Sequence, residues 1–190
     1  MAVTTAILGG RFDPPHLGHI ALARAALTHF GLDRLLVLVV VDPGHKPAVA
    51  SPEVRLELTR LAFDSLPATV ELDDHRFTVD MLEAHPLDDA LFIIGADELA
   101  GFPGWKEPKR VLELARLGVA TRPGYPRERL DSVLAQLDRP ERVELFELEP
   151  TPVSSTEVRE LVSLGVPLDG LVPPAVAARI GELSPLYRGD

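Results

Sequence analysis

The stretch Gly9-Gly10-Arg11-Phe12-Asp13-Pro14-Pro15-His16-Leu17-Gly18-His19 lies between an apolar run, Ala6-Ile7-Leu8, and an alanine- and leucine-rich segment that begins at Ile20. The two adjacent glycines let the backbone bend sharply and bring its amides close to an anion, because neither carries a Cβ atom. The two prolines exclude regular structure until the next segment begins. The stretch therefore predicts a strand, a tight turn and a helix, which together begin a βαβ unit.

Two histidines distinguish this turn from an ordinary one. His19 falls in the first turn of the predicted helix, where unpaired amides and the positive end of the helix dipole favour an anion, and His16 lies just before it. We interpret the stretch as a phosphate-binding turn that two imidazoles face. The alternatives are a turn without a ligand and a zinc site, although the chain has no cysteine and no further histidine at ligand spacing from this pair.

The composition is that of a folded α/β protein. A length of 190 residues with 46% hydrophobic content suits one domain, 1–190, with an ordinary core. The apolar runs are too short to span a membrane, so we expect a cytoplasmic protein. The absence of cysteine excludes disulfides and thiol catalysis and agrees with this location without identifying it. The net charge of −10 argues against a nucleic-acid partner. An anionic substrate would have to be held by local cations, for which the candidates are Arg11, His16, His19, Lys46 and Arg159.

Strand and helix patterns alternate along the chain, which predicts a Rossmann-like doubly wound parallel sheet with a C-terminal helical segment. The run of apolar, largely β-branched residues from Leu35 to Val41 is typical of a strand that is buried on both faces. Strands are predicted at 4–8, 35–41, 69–72, 91–94 and 117–120, and helices at 18–30, 52–64, from about 77, and at 107–114.

Several candidate ligands follow predicted strands, at the sheet edge where such folds bind their ligands. Lys46 either binds a phosphate or is a solvated turn residue. Asp97, after Gly95, either accepts hydrogen bonds from ribose hydroxyls or caps the next helix. Trp105, the only tryptophan, either stacks on a flat ring or anchors the core. Arg122 also follows a strand.

The segment Pro152 to Arg159 predicts the N-terminus of a helix. Ser154 and Glu157 have the spacing of a capping box. The same geometry suits the outer phosphates of a nucleotide, because it places three hydroxyl groups and a cation at a helix N-terminus. The residues concerned are Ser154, Ser155, Thr156 and Arg159. Both interpretations can hold together.

The first of these motifs resembles the signature of the nucleotidylyltransferase superfamily, Gly-x-Phe-x-Pro-x-His-x-Gly-His. Nearly the whole chain is similar to the bacterial nicotinate mononucleotide adenylyltransferases. Six blocks carry the resemblance: the turn from Gly9 to His19, His45-Lys46, 78–82, 92–97, Trp105 with 122–125, and 153–159. The run from Leu171 to Tyr187 also resembles the closing helix of that family. Three features depart from the family pattern: Arg11 replaces Thr or Ser, the loop before His45 is shorter, and Arg76-Phe77 replaces Ser-Tyr.

The resemblance implies transfer of AMP from ATP to nicotinate mononucleotide by direct in-line attack, with Mg²⁺ held mainly by the ATP phosphates. The catalytic residues it implies are His16, His19 and Arg159. The ATP-binding residues are Gly9, Gly10, Arg11, Phe12, Gly18, Gly95, Asp97, Ser154, Ser155 and Thr156. The mononucleotide-binding residues are Asp13, Lys46, Thr78, Trp105 and Arg122.

Other functions remain open at this stage. A superfamily member that uses nicotinamide mononucleotide or phosphopantetheine, or that transfers a cytidylyl group, would share the first and last motifs. A protein that binds ATP without turnover is a further alternative. The sequence carries no signal of oligomeric state.

Overall fold

A computed structural model describes residues 5–42 and 48–183. One six-stranded parallel sheet runs through this part of the chain, in the order β3-β2-β1-β4-β5-β6. The strands are β1 (Thr5–Gly10), β2 (Arg34–Val40), β3 (Ala68–Asp73), β4 (Ala90–Gly95), β5 (Ala115–Thr121) and β6 (Val143–Glu147). The strand order reverses between β1 and β4, which confirms the doubly wound architecture and places the ligand crevice beside β1.

Helices cover both faces of the sheet. They are α1 (Leu17–Phe30), α2 (Pro52–Phe63), α3 (Thr78–Ala84), α4 (Ala96–Gly101), α5 (Pro108–Leu114), α6 (Arg127–Leu134), α7 (Ser155–Ser163) and α8 (Pro174–Glu182). Side chains of α1, α2, α7 and α8 share one buried cluster, and those of α3 to α6 share the other. Successive residues of β1 belong to opposite clusters, because side chains alternate across a strand. The core therefore lies in two layers with the sheet between them.

Capping residues explain where α1 ends and where α2 begins. Gly31, with a φ of 59°, ends α1 in the left-handed conformation that glycine adopts without steric cost. The hydroxyl of Ser51 accepts the amide hydrogen of Val54 at 3.4 Å, and Pro52 follows as the first helical residue of α2. Both ends were predicted from the sequence.

Two elements and several boundaries differ from the sequence-based expectation. Helix α6 and strand β6 were not predicted, and the strands extend one or two residues beyond most predicted ends. Residues 1–4, the Lys46 segment (43–47) and the end of the predicted closing helix (184–190) lie outside the described residues. None of the helices in the described part of the chain is long and apolar enough to cross a membrane.

Candidate active site

A cleft of about 1210 Å³ opens at the carboxyl ends of the strands. Its walls include the turn after β1, the end of β4, the start of α3, the Trp105 loop and the start of α7. Many single-ligand sites have volumes of about 300–1,000 Å³, so this cleft has room for more than one small ligand. Most of the predicted site residues lie on its walls: Gly9, Gly10, Arg11, Phe12, His16, Gly18, His19, Thr78, Gly95, Asp97, Trp105, Arg122, Ser154 and Ser155.

The turn after β1 is held rigidly by Phe12. This residue has a φ of 50°, is 1% exposed, and packs its ring edge against Phe63 and His19. A Cβ atom added to Gly10 would lie 2.9 Å from the Phe12 ring. Glycine at position 10, the last residue of β1, is therefore required by the close approach of a buried aromatic ring.

His16 and His19 lie side by side at the start of α1. Their ring centroids are 3.7 Å apart, and the backbone amide of His16 donates a hydrogen bond to Nδ1 of His19 at 3.1 Å. Because Nδ1 accepts this bond, the proton of the neutral His19 ring must be on Nε2. The amide thus fixes the tautomer of His19 and gives it one N–H donor.

Both histidines are neutral in the free protein near pH 7. Burial, together with the positive charge of Arg122, lowers the pKa of His16 to about 4. Burial also lowers the pKa of His19 well below its ordinary value, with a smaller contribution from His16. Nδ1 of His16 is buried and has no hydrogen-bond partner among the described residues. These are features of a site where an anion would complete the polar interactions.

The shift in the pKa of His16 predicts that acid destabilises the protein. Between pH 6.5 and 4 the folded protein keeps His16 neutral while the unfolded chain protonates it, so the unfolded state binds more protons and stability falls as the pH falls. The full shift corresponds to about 3 kcal/mol of unfolding free energy. Urea unfolding at several pH values should show that wild type loses about this much more than His16→Asn. Equal losses would contradict the assignment.

The end of β4 supplies a second group of polar atoms. Glu98, one turn into α4, accepts the amide hydrogen of Gly95 at 3.1 Å and thereby caps that helix. Asp97 does not make this capping bond, and its carboxylate accepts a hydrogen bond from the hydroxyl of Tyr125 at 3.4 Å. This arrangement favours the interpretation of Asp97 as a ligand residue on the cleft wall.

Trp105 both packs against the core and lines the cleft. Its ring contacts Phe102 and Phe92, with centroid distances of 5.2 and 6.4 Å. The ring is half-buried, and it lies among the residues of the cleft wall. The two interpretations given by the sequence are therefore not exclusive.

The polar side chains at the start of α7 form hydrogen bonds within the protein. The Ser154 hydroxyl accepts the amide hydrogen of Glu157 at 3.2 Å, as the predicted N-cap requires. Ser155 donates its hydroxyl hydrogen to the carbonyl of Pro14 at 2.9 Å. Arg159 donates to the carbonyl of Asp13 and to the Thr156 hydroxyl. These bonds tie α7 to the turn after β1.

Three of the predicted ligand residues are not on the described cleft wall: Asp13, Thr156 and Arg159. Asp13 is 1% exposed, and its carboxylate accepts amide hydrogens from Val49 at 2.6 Å and Ala50 at 3.2 Å. The structure thus directs these oxygens to the backbone, in contrast to the expected contact with a mononucleotide. The guanidinium of Arg159 is likewise occupied by the turn, as described above. Lys46 lies outside the described residues.

Several wall residues were not predicted from the sequence: Asp42, Asp73, His75, Arg76, Phe77, Glu98, Lys106 and Tyr125. The rule that ligands bind at the carboxyl ends of strands could have found Asp73, the last residue of β3, and His75, which lies two residues beyond it. His75 Nδ1 lies 2.6 Å from the Asp73 carboxylate. Lys106 forms an ion pair with Asp80 at 2.7 Å, and its ammonium lies 5.0 Å from the Phe77 ring centroid.

The cleft is electrically balanced although the chain is acidic. Four cationic side chains (Arg11, Arg76, Lys106 and Arg122) and four acidic ones (Asp42, Asp73, Asp97 and Glu98) belong to its described wall. The surplus of negative charge therefore lies elsewhere. Among the described residues, the group whose atoms are close enough to share a metal ion is Asp73, Asp74 and His75, and it contains neither His16 nor His19.

The chain is similar to one family of known proteins. Residues 7–161 match the family described as cytidylyltransferase-like. A probable nicotinate-nucleotide adenylyltransferase of Roseiflexus castenholzii is 37% identical, over 97% of this chain and 98% of the relative. A protein of the same name from Thermus thermophilus is 39% identical, over 96% and 98% of the two chains.

Solved structures share the fold. The Plasmodium falciparum nicotinic acid mononucleotide adenylyltransferase in complex with NaAD superimposes with a TM-score of 0.78 at 16% identity, covering 100% of this chain and 99% of the other. The same enzyme in complex with APC gives a TM-score of 0.76 with the same coverage.

Proposed function

The chain belongs to the cytidylyltransferase-like family, and we propose that it is a nicotinate-nucleotide adenylyltransferase. It transfers AMP from ATP to nicotinate mononucleotide, which gives deamido-NAD and pyrophosphate. The observation that carries the proposal is the pair of neutral imidazoles, His16 and His19, beside the turn after β1, where the strand order reverses between β1 and β4. A backbone amide fixes the tautomer of His19. Full-length relatives with this name support the choice of substrates.

The reaction needs no covalent enzyme intermediate, because the nucleophile is already an anionic oxygen. An oxygen of the mononucleotide phosphate attacks the α-phosphorus of ATP. The bond from that phosphorus to the oxygen that bridges the α- and β-phosphates breaks, and pyrophosphate leaves with this oxygen. Catalysis then consists of positioning two polyanions and stabilising the charge on the transferring group. Nε2–H of His19, the amides of Gly10 and Arg11, and His16 are the donors for this charge.

The remaining wall residues divide between the two substrates. Gly9, Gly10, Phe12, Gly18, Gly95, Asp97 and the start of α7 hold ATP, and Thr78, Trp105 and Arg122 hold the mononucleotide, with the pyridine ring near Trp105. Lys46 is proposed as a further contact with the mononucleotide. Because Arg122 lies close enough to lower the pKa of His16, it is well placed to hold an anion that reaches both residues. Arg159 acts on the phosphates if substrate binding releases it from the turn.

Magnesium enters this scheme with ATP as part of the substrate. The described groups on the cleft wall around the turn after β1 are amides, imidazoles and a guanidinium, which can donate hydrogen bonds to phosphate oxygens, whereas Mg²⁺ prefers oxygen ligands. The donor set therefore fits an ion that the phosphates carry. Mg²⁺ supplies charge neutralisation on those phosphates.

The substrate preference tests the proposal. We expect kcat/KM for nicotinate mononucleotide to exceed that for the nicotinamide form by at least about tenfold, because a pocket built for one ring substituent leaves polar groups unpaired with the other. Arg76 belongs to the same described cleft wall as Trp105, and its positive charge favours the acid. Pyrophosphate release with each mononucleotide at saturating ATP and magnesium measures the ratio. Phosphopantetheine as acceptor and CTP as donor serve as controls, and equal values for the two mononucleotides would refute the preference.

A further inference from the structure

Arg55 in α2 is an arginine with no exposed surface. Within the described part of the chain, its guanidinium donates to four backbone carbonyl oxygens: those of Ala50 at 3.1 Å, Arg11 at 2.9 Å, Val40 at 2.7 Å and Val41 at 3.0 Å. Burying a guanidinium is costly unless its hydrogen-bonding groups are satisfied, so these contacts are needed to keep the side chain inside. The buried Arg55 side chain therefore joins particular backbone segments by hydrogen bonds and does more than fill space in the core.

The four carbonyls belong to three segments at the ligand edge of the sheet. Arg11 lies in the phosphate turn after β1, Val40 and Val41 lie at the end of β2, and Ala50 precedes α2. One side chain thus fixes the turn against the neighbouring strand and against the entrance of the helix. The planar fork of arginine can reach several acceptors at once, which a lysine ammonium on its single flexible stem does not reproduce.

Asp13 makes the complementary connection from the turn. Its buried carboxylate accepts the amide hydrogens of Val49 and Ala50, and its carbonyl accepts from Arg159 of α7. Arg55 and Asp13 therefore join the phosphate turn to both flanks of residues 43–47, the sequence segment that contains Lys46. The turn lies on the wall that is assigned to ATP, and Lys46 is assigned to the mononucleotide.

We propose that Arg55 and Asp13, here called the turn clamp, are positioning residues that hold the ATP-binding turn in place against the end of β2 and the start of α2. This inference rests on the proposed function, since it assumes that two substrates meet at this edge. The clamp touches neither substrate. It acts by keeping the amides of Gly10 and Arg11 in the position that in-line attack requires. A displacement of about 1 Å in such a site can cost about a hundredfold in rate.

The test is Arg55→Lys, which keeps the charge and loses the fork. We expect kcat/KM to fall by about tenfold to a hundredfold when activity is measured well below the melting temperature and expressed per folded molecule. Arg60→Lys is the matched control, because Arg60 lies in the same helix, donates to the Val70 carbonyl and is absent from the described cleft wall. The control should keep wild-type kcat and KM. A purely structural arginine would lower the melting temperature of Arg55→Lys and leave its kcat and KM unchanged, which would overturn the proposal.

Two further measurements keep the outcome decisive. If Arg55→Lys does not fold, Asp13→Asn takes its place, because the amide nitrogen of asparagine cannot accept a hydrogen bond from Val49 or Ala50. We expect kcat/KM of this variant to fall by about tenfold, and wild-type turnover would overturn the proposal. If wild type itself makes no dinucleotide, the proposed function is wrong, and the clamp is judged by calorimetric titration with ATP and magnesium. Weaker ATP binding by Arg55→Lys than by Arg60→Lys then supports a positioning role, and equal affinities refute it.

Discussion

His19→Ala should lower kcat by about 10²–10³ while the protein stays folded. The ring has one proton, which the amide of His16 confines to Nε2, and this N–H is assigned to the charge on the transferring phosphoryl group. Alanine removes the donor and leaves the turn, because Phe12 is held in addition by Phe63. The measurement is steady-state pyrophosphate release, with circular dichroism to confirm the fold.

A matched histidine variant provides the control. His29 lies at the other end of α1, and its Nε2 is 3.0 Å from a carboxylate oxygen of Glu144, outside the described cleft wall. His29→Ala should therefore keep the wild-type kcat. If His19→Ala also kept it, His19 would have no part in stabilising the transition state.

Gly10→Ala should reduce kcat/KM by about a hundredfold, for a steric reason. The new methyl group would lie 2.9 Å from the Phe12 ring, and this ring is 1% exposed and enclosed by Phe63 and His19. Since Phe12 cannot yield easily, the turn must move, and its amides lose their alignment with the phosphates. Kinetics with varied ATP should show the loss.

Gly101→Ala is the appropriate comparison for this variant. Gly101 ends α4, has a φ of −89°, and a Cβ atom there would meet nothing within 4 Å. Alanine at this position should leave both stability and kcat/KM close to wild type. Wild-type kinetics for Gly10→Ala would show that the turn tolerates a side chain and does not approach the nucleotide closely.

The sequence predicted the part of the fold in which local signals and burial agree. The prolines after β1 exclude regular structure, and the apolar runs of β2 and β4 are typical of buried strands, so the ligand edge followed from the carboxyl-end rule. Gly9 and Gly10, which were expected in the turn, are the last two residues of β1. Helix α6 and strand β6 escaped prediction because residues 127–147 are rich in charge. Only Leu130, Val133 and Phe146 are buried in these two elements, which is too few for a clear periodic pattern.

Roles that depend on tertiary hydrogen bonds could not be predicted. Arg55 looks like any helical arginine, a residue type that is mostly exposed, and only the fold shows that four carbonyls surround it. Asp13 belongs to a ligand motif, yet its carboxylate is directed to two amides 36 and 37 residues further along the chain. The tautomer of His19 is set by a local contact, the hydrogen bond from the backbone amide of His16, whose geometry the sequence does not show.

The most direct test of the account is the identity of the product formed from ATP, magnesium and nicotinate mononucleotide. Chromatography with mass detection should show deamido-NAD and pyrophosphate accumulating in equal amounts, at an initial rate about 10²–10³ above that of His19→Ala. If the wild-type protein formed no dinucleotide above the level of this variant, the protein would not be an adenylyltransferase for this substrate.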